Sequence, residues 1–192
     1  MDVVITYVNG LDPLWQKDYE NAVGKKVLAK RFRDWGTLPF LLRGIEKHMP
    51  FVENVFLVVA RESQVPSWVD RSRVHIVLHS EIIPERFLPV FNSTAIELFM
   101  WRIPGLGEEF VYFNDDFFPM MDCLPGDFFD GGRAVIHFSK HFFWFSQYLR
   151  HTRNSDRLAA RAAQVRRRLQ FVRPQHICTP LLRSVCEEAF GR

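Results

Sequence analysis

Asn114, Asp115 and Asp116 are the residues whose types and spacing best suit chemistry. They emerge from the run Phe-Val-Tyr-Phe-Asn-Asp-Asp-Phe-Phe at 110–118, where four large β-formers read as a buried strand that ends in two carboxylates. Open α/β sheets place their ligands at the carboxyl ends of their strands. Adjacent carboxylates in an apolar run are costly to bury unless something positive sits between them, and a divalent cation with a phosphate is a common solution. Mg²⁺ (or Mn²⁺) and a nucleotide are therefore the expected ligands. The competing reading is a plain turn, because Asn-Asp-Asp is also ordinary turn and N-cap material.

The elements that must position this pair follow from periodicity. Asp2 to Val8 reads as a buried strand, broken by Asn9-Gly10 and again by Asp12-Pro13. A strand ending in Asn-Gly leaves backbone N–H groups directed above the sheet, where a base or phosphate can sit, so Asn9 and Gly10 are candidates for nucleotide contact. An ordinary βα turn is the alternative. Asp2 is unusual at the start of a buried strand, since its carboxylate needs a partner or water. Residues 14–34 are helix-compatible and close with Arg31-Phe32-Arg33-Asp34. Thr37 then caps an amphipathic helix carrying Leu38, Leu41, Leu42 and Ile45, which stops at Met49-Pro50. Asn54 to Ala60 is a second buried strand and Val74 to Leu78 a third. Thr94-x-x-Glu97 reads as a capping box opening a further helix, whose N-terminus would favour an anion. The alternation predicts an α/β fold with a mostly parallel sheet flanked by helices.

Composition excludes several classes. With 192 residues and 47% apolar content the chain can build one core. A net charge of +3, spread along the chain, does not suggest nucleic-acid binding. Cys123, Cys178 and Cys186 form no C-x-x-C pair, and their odd number argues for a reducing compartment rather than a disulfide framework. No leader and no apolar run of about 18 residues is read, so the expected location is cytoplasmic, with peripheral attachment at the inner face of the membrane as the membrane option. Nineteen Phe and five Trp suggest that some rings face a partner.

Three ordered blocks resemble the Stealth family of sugar-phosphate transferases. The first is Asp-Val-Val-x-x-Tyr-Val-Asn-Gly-x-Asp at 2–12. The second runs from Arg31-Phe32-Arg33-Asp34 through Leu42-Arg43-Gly44-Ile45-Glu46, Pro66-Ser67-Trp68, Phe91-Asn92-Ser93-x-Ala95-Ile96-Glu97 and Arg102-Ile103-Pro104-Gly105-Leu106 to Phe113-Asn114-Asp115-Asp116. The third is His176-Ile177-Cys178-Thr179-Pro180-Leu181-Leu182-Arg183-Ser184-Val185. The resemblance implies a Rossmann-like, nucleotide-sugar-binding domain of the glycosyltransferase-A-like kind. It also implies transfer of a hexose-1-phosphate from a nucleotide-diphospho-sugar, typically a UDP-hexose, to a hydroxyl of a glycan acceptor in capsular or cell-surface polysaccharide synthesis, with release of UMP.

The same resemblance assigns catalytic roles to Asp2, Asp116 and His176. Asp116 is expected to hold the metal, with Asp115 beside it as ligand or support; adjacent strand residues face opposite ways, so both reach one ion only if the chain turns there. His176, just before the helix start Thr179-Pro180, suits deprotonation of the acceptor or contact with the donor phosphate. Asp2 is read either as a general base or as a binding contact, and Arg33 and Arg43 either as phosphate clamps or as surface ion pairs. A metal-dependent glycosyltransferase releasing UDP and a non-catalytic sugar-nucleotide or glycan-binding module are the rival readings. Organisation is expected as a core over 1–138 and a helical segment over 139–192 packed on the same domain. There the Arg-bearing helix beginning at Ser155 is either a packed amphipathic helix or a membrane-surface patch. A further family block, with an arginine and acidic residues, would lie past Arg192.

Overall fold

The computed structural model describes residues 1–28 and 30–135. Four strands, β1 (Asp2–Thr6), β2 (Val55–Val59), β3 (Val74–Leu78) and β4 (Phe110–Asn114), form one sheet in the order β3-β2-β1-β4. Every pairing is parallel, with Val3 opposite Val55 and Val111, and Ile5 opposite Leu57 and Phe113. The chain therefore builds outward from β1 to β3 on one side and returns to the other side of β1 for β4. All four carboxyl ends lie along one rim, and the direction of building reverses between β1 and β4, the position at which such sheets open a crevice for ligands.

Both faces are covered, which explains the near-continuous apolar runs of the strands. Strand alternation sends Val3, Ile5, Leu57 and Val59 to one side, against Leu38, Leu41, Ile45 and Met49. These last residues belong to α2 (Leu38–His48) and its first following residue. Leu38, Leu41 and Ile45 recur at helical spacing and are each at most 3% exposed, so burying each contributes about 1.5–3 kcal/mol. Val4, Phe56, Val58 and Val77 face the other way, onto Ile82, Ile96, Phe99 and Met100. That layer is built from short pieces, α3 (His79–Ile82), α4 (Ser93–Glu97) and three-residue 3₁₀ turns.

The helix α1 (Pro13–Val23) follows β1 and stops at Gly24 in the left-handed conformation, so the predicted helical stretch to residue 34 ends about ten residues early. Thr37 precedes α2 as expected but makes no side-chain capping bond. The capping box predicted at Thr94 and Glu97 is not formed. Asn92 is the cap, its side chain accepting from Thr94 N, while Glu97 turns inward to Tyr112. With five residues α4 is also too short to supply the anion site expected at its N-terminus. A small hairpin, β5 (Phe129–Asp130) with β6 (Arg133–Ala134), ends the described part. The expected boundary at 138 and every expectation for 139–192, including His176 and the basic helix, lie outside the described residues.

Candidate active site

Where β4 ends, Phe117 N donates to the Asn114 carbonyl at 3.2 Å and closes a turn over Asp115 and Asp116. This is the bend that two neighbouring carboxylates need before they can serve one ion. Asp115 is half-buried and lines the crevice, whereas Asp116 is exposed. Burial pushes the Asp115 carboxyl up to about 6, and the charges of Asp116 and Asp34 push the same way. Neither carboxylate of the pair forms an ion pair among the described residues. A buried acid raised by like charge is a cation site in electrostatic terms, so the donor set fits a hard divalent ion. No cluster of three or more metal-ligating side chains is assembled among the described residues. Mg²⁺ does not need one, because it keeps several waters and is commonly held by one or two carboxylates together with substrate phosphates.

The crevice beside this pair has a volume of about 280 Å³ and runs along the carboxyl rim, from Asn114 and Asp115 past Thr6, Tyr7 and Val8 to Ala60 and His79. Its outer wall is aromatic, with Trp15, Phe32 and Phe91 lining it. Trp15 packs edge-on against Phe32 at 4.9 Å and Phe91 at 5.5 Å between ring centroids, a geometry that fixes the wall. Arg31 lines the crevice with its guanidinium 5.1 Å from the Phe32 ring centre. Asp34 is anchored by Tyr7, whose hydroxyl donates to Oδ2 at 2.6 Å, and by Gly36 N, which donates to Oδ1. Burial, with Asp34 next, raises the Tyr7 hydroxyl far above its ordinary value, so it stays protonated as a donor.

Beneath the Asp pair lies a second polar knot. The single Tyr112 hydroxyl proton is shared between Asn114 Oδ1 at 2.6 Å and Glu97 Oε1 at 3.3 Å, and the oxygen lies 2.9 Å from Thr6 Oγ1. These bonds join the ends of β1 and β4 to α4 and fix Asn114, the residue from which the acidic turn departs. Burial raises the Glu97 carboxyl, opposed in part by its hydrogen bond from Tyr112.

The structure brings together only part of the expected site. Asp2 opens β1 at the amino rim, pairs with Phe110 in register, and is separated from Asp115 by about 16 Å of strand. It is 3% exposed, accepting from Asn54 Nδ2 at 2.9 Å and Gly107 N at 2.7 Å. Its carboxylate ties the start of β1 to the turns before β2 and β4, which answers the need for a partner. Asp2→Ala, by removing the acceptor of two donors, is expected to destabilise the fold by about 2 kcal/mol in urea denaturation while leaving nucleotide affinity unchanged.

Asn9 and Gly10 sit beside the crevice, but the Asn9 backbone and the Gly10 carbonyl are engaged internally. Asn9 N donates to Gln64 Oε1, Gln64 Nε2 donates back to the Asn9 carbonyl, and Gln16 Nε2 donates to the Gly10 carbonyl. The buried Gln64 also reaches Asp12, the cap of α1, which accepts from Leu14 N and Ser63 as well. Burial opposes the Asp12 charge, yet these hydrogen bonds outweigh it and hold the carboxyl below its usual range. Gln64 and Gln16 therefore brace the Asn-Gly turn, and the Asn9 N–H is not a free donor. Arg33 and Arg43 are exposed and lie over Trp35 and Phe40, away from the crevice lining. Arg31, Asp34, Tyr7, Tyr112 and His79, which the sequence reading did not single out as site residues, are the ones the fold brings to or beneath the rim. The signal for two of them was the Arg31-Phe32-Arg33-Asp34 block, which carries both charges within four residues.

Comparison with known proteins bears on this arrangement. The sequence profile described as "Stealth protein CR2, conserved region 2" matches residues 31–136, more than half of the chain and the span from Arg31 through the acidic turn. The chain belongs to the Stealth family. Among its relatives are a receptor polysaccharide phosphotransferase, WefC, of Streptococcus oralis, 44% identical over 138 residues, and the exopolysaccharide phosphotransferase cps2G of Lactiplantibacillus plantarum, 41% identical over 133 residues. The capsular polysaccharide phosphotransferase cps1A of Actinobacillus pleuropneumoniae is 37% identical over 152 residues. These matches cover 67%, 67% and 73% of this chain and 41%, 39% and 41% of the relatives, so the Stealth chain described here spans about two fifths of their length.

Proposed function

We propose that this Stealth chain carries the donor-binding core of a metal-dependent sugar-1-phosphate transferase of capsular or cell-surface polysaccharide synthesis. The observation that carries the reading is the uncompensated Asp115–Asp116 turn at the rim between β1 and β4, beside a crevice long enough for a nucleotide. The naming of the relatives as polysaccharide phosphotransferases supports the reaction class.

The donor is a nucleotide-diphospho-sugar, most simply a UDP-hexose, and the acceptor a glycan hydroxyl. The acceptor oxygen forms a bond to the sugar-bearing phosphorus, the P–O bond to the nucleotide's phosphate breaks, and UMP leaves with that electron pair. A divalent cation, Mg²⁺ or Mn²⁺, held by Asp115 and Asp116, would neutralise the charge of the pyrophosphate. Arg31 contributes a fixed positive charge from the wall, stiffened by its stacking on Phe32. Tyr7 holds Asp34 in place, and the Tyr112 knot holds Asn114, so the acidic turn is set before substrate arrives. The hydroxyl proton must go to a base. Asp2 is at the far rim, which leaves His176, given that role by the family resemblance, as the proposed acceptor. Exposed Phe117, Phe118, Met120 and Met121 directly after the turn supply an apolar ledge that suits a bulky acceptor or a peripheral position at a membrane. No helix among the described residues is long and apolar enough to cross a membrane.

Product identity tests this function. The chain is incubated with UDP-hexoses and glycan acceptors, with Mg²⁺ or Mn²⁺ and with a chelator, and UMP and UDP are quantified. Chelator-sensitive UMP is the expected product. UDP instead would establish glycosyl transfer, and donor binding without either product would establish a binding module.

A further inference from the structure

His79 is a buried titratable group that the proposed chemistry does not use. It is the residue immediately after β3, 6% exposed, and it lines the crevice at the end opposite Asp115. Its ring makes no side-chain hydrogen bond among the described residues. Burial alone lowers its pKa to about 4, so the imidazole is neutral through the physiological range. A neutral imidazole presents one N–H donor and one bare nitrogen acceptor. The ring is 6% exposed and lines the crevice, so its nitrogens meet little solvent and a ligand in the crevice is placed to partner them.

The remainder of the crevice says what kind of partner. Strand order places β3 three strands from β4, about 14 Å across at the usual interstrand spacing. One end is ionic, with Asp115 and, next to it in the chain, Asp116, and Arg31 lines the crevice beside Phe32. The other is His79 among Val8, Ala60 and Val90, with the Phe32 and Phe91 rings alongside. A ligand that bridges these ends is charged at one terminus and flat, weakly polar and edge-bonded at the other. An extended nucleoside diphosphate has that shape. Phosphate would prefer a cationic contact, which a neutral imidazole does not give, whereas the edge of a base offers both donors and acceptors, and its face suits aromatic side chains.

We propose that His79 is the specificity-determining contact for the nucleobase of the donor, reading the base edge while the diphosphate lies toward the acidic turn. The assignment rests on the donor reading above. A site that hydrogen-bonds a ligand through a buried polar group rejects ligands lacking the complement, because the group is then left unpaired.

Calorimetric titration of the full chain with UMP, and with ribose 5-phosphate as the base-less comparison, in Mg²⁺, tests it. His79→Phe keeps the ring volume and removes both nitrogens. It is expected to weaken UMP about 10- to 100-fold, leave ribose 5-phosphate unchanged, and be partly repaired in His79→Gln. Unchanged UMP affinity in a folded His79→Phe, or an equal loss for both ligands, overturns the assignment while leaving the donor reading intact. Failure of the wild-type chain to bind UMP would instead remove the donor reading itself. Should the variants not fold, the imidazole ¹⁵N resonances of wild-type His79 decide: UMP is expected to shift them and ribose 5-phosphate to leave them in place, and no shift with bound UMP overturns the proposal.

Discussion

Asp115→Asn is expected to make the metal-free protein more stable near neutral pH and, in the same variant, to abolish its stabilisation by Mg²⁺ and reduce turnover about 100- to 1,000-fold. The two halves have one cause. Burial first, and then the charge of Asp116, raise the Asp115 carboxyl to about 6 from an ordinary 3.8, so the folded state holds this ionised group at a penalty. The carboxyl is partly open to solvent, so the penalty is about 1 kcal/mol after screening, or about 2–4 °C in melting temperature for a chain of this size. A folded pKa above the unfolded one means that the penalty is complete above about pH 6. It fades as the pH falls toward 4, where the group is protonated in both states. Wild type and Asp115→Asn should accordingly converge in stability at about pH 4 and differ most above pH 6. Mg²⁺ affinity of the wild type should run the other way, falling as the pH drops through about 6. Thermal melts across pH, with and without Mg²⁺, check both; equal melting temperatures at pH 7.5 without metal would contradict the electrostatic account of the turn.

Gly10→Ala is expected to cost about 2–4 kcal/mol and to lose donor binding with it. The backbone dihedral is not the reason. A Cβ at this position would fall on the carbonyl oxygen and against the Cβ of Phe32, and backbone cannot yield as a flexible side chain does. Moving Phe32 moves its neighbours Arg31 and Asp34 and disturbs the ring packing against Trp15. Gly126→Ala is the matched comparison, since a Cβ there meets nothing within 4 Å and the residue has no left-handed φ, and it should stay within about 0.5 kcal/mol of wild type. Denaturation midpoints and UMP titration of the two variants separate a specific backbone contact from a general glycine effect.

The sheet could be read from the sequence because buried parallel strands leave a strong local record. Val3 to Ile5, Phe56 to Val59 and Phe110 to Val111 are apolar on both faces, and α2 repeats Leu38, Leu41 and Ile45 at helical spacing. The acidic turn was legible for the same reason, as two carboxylates interrupting such a run. What could not be read was which polar residues the topology gathers. Asp2 and Asp116 both belong to family motifs, yet strand direction alone decides that they lie at opposite rims, and neither spacing nor composition encodes that distance. Asn9 fails as a free donor because of Gln64, a residue 55 positions away in a loop with no motif of its own. Glu97 looked like a cap because Thr94 stood three residues before it; burial against Tyr112 outweighed that local signal. His79 carried no sequence cue, since its significance comes only from being unpaired at the end of the third strand.

The strand order also sets a timetable for assembly. β1 finds β2 after some fifty residues and β2 finds β3 after about twenty, but the other edge of β1 waits for β4, which pairs Asp2 with Phe110 and Thr6 with Asn114 across more than a hundred positions. Until then β1, whose Val3, Val4 and Ile5 are fully buried in the finished sheet, is an open edge, the kind that recruits strands from other chains. Closing so long a loop is the slow, entropically costly step of this topology. Because the acidic turn is the direct continuation of β4, the residues that would take up the cation arrive with the strand that seals the edge. A folding chain therefore gains its ligand site and covers β1 in one event, and metal with nucleotide would act on yield as well as on the finished protein's stability.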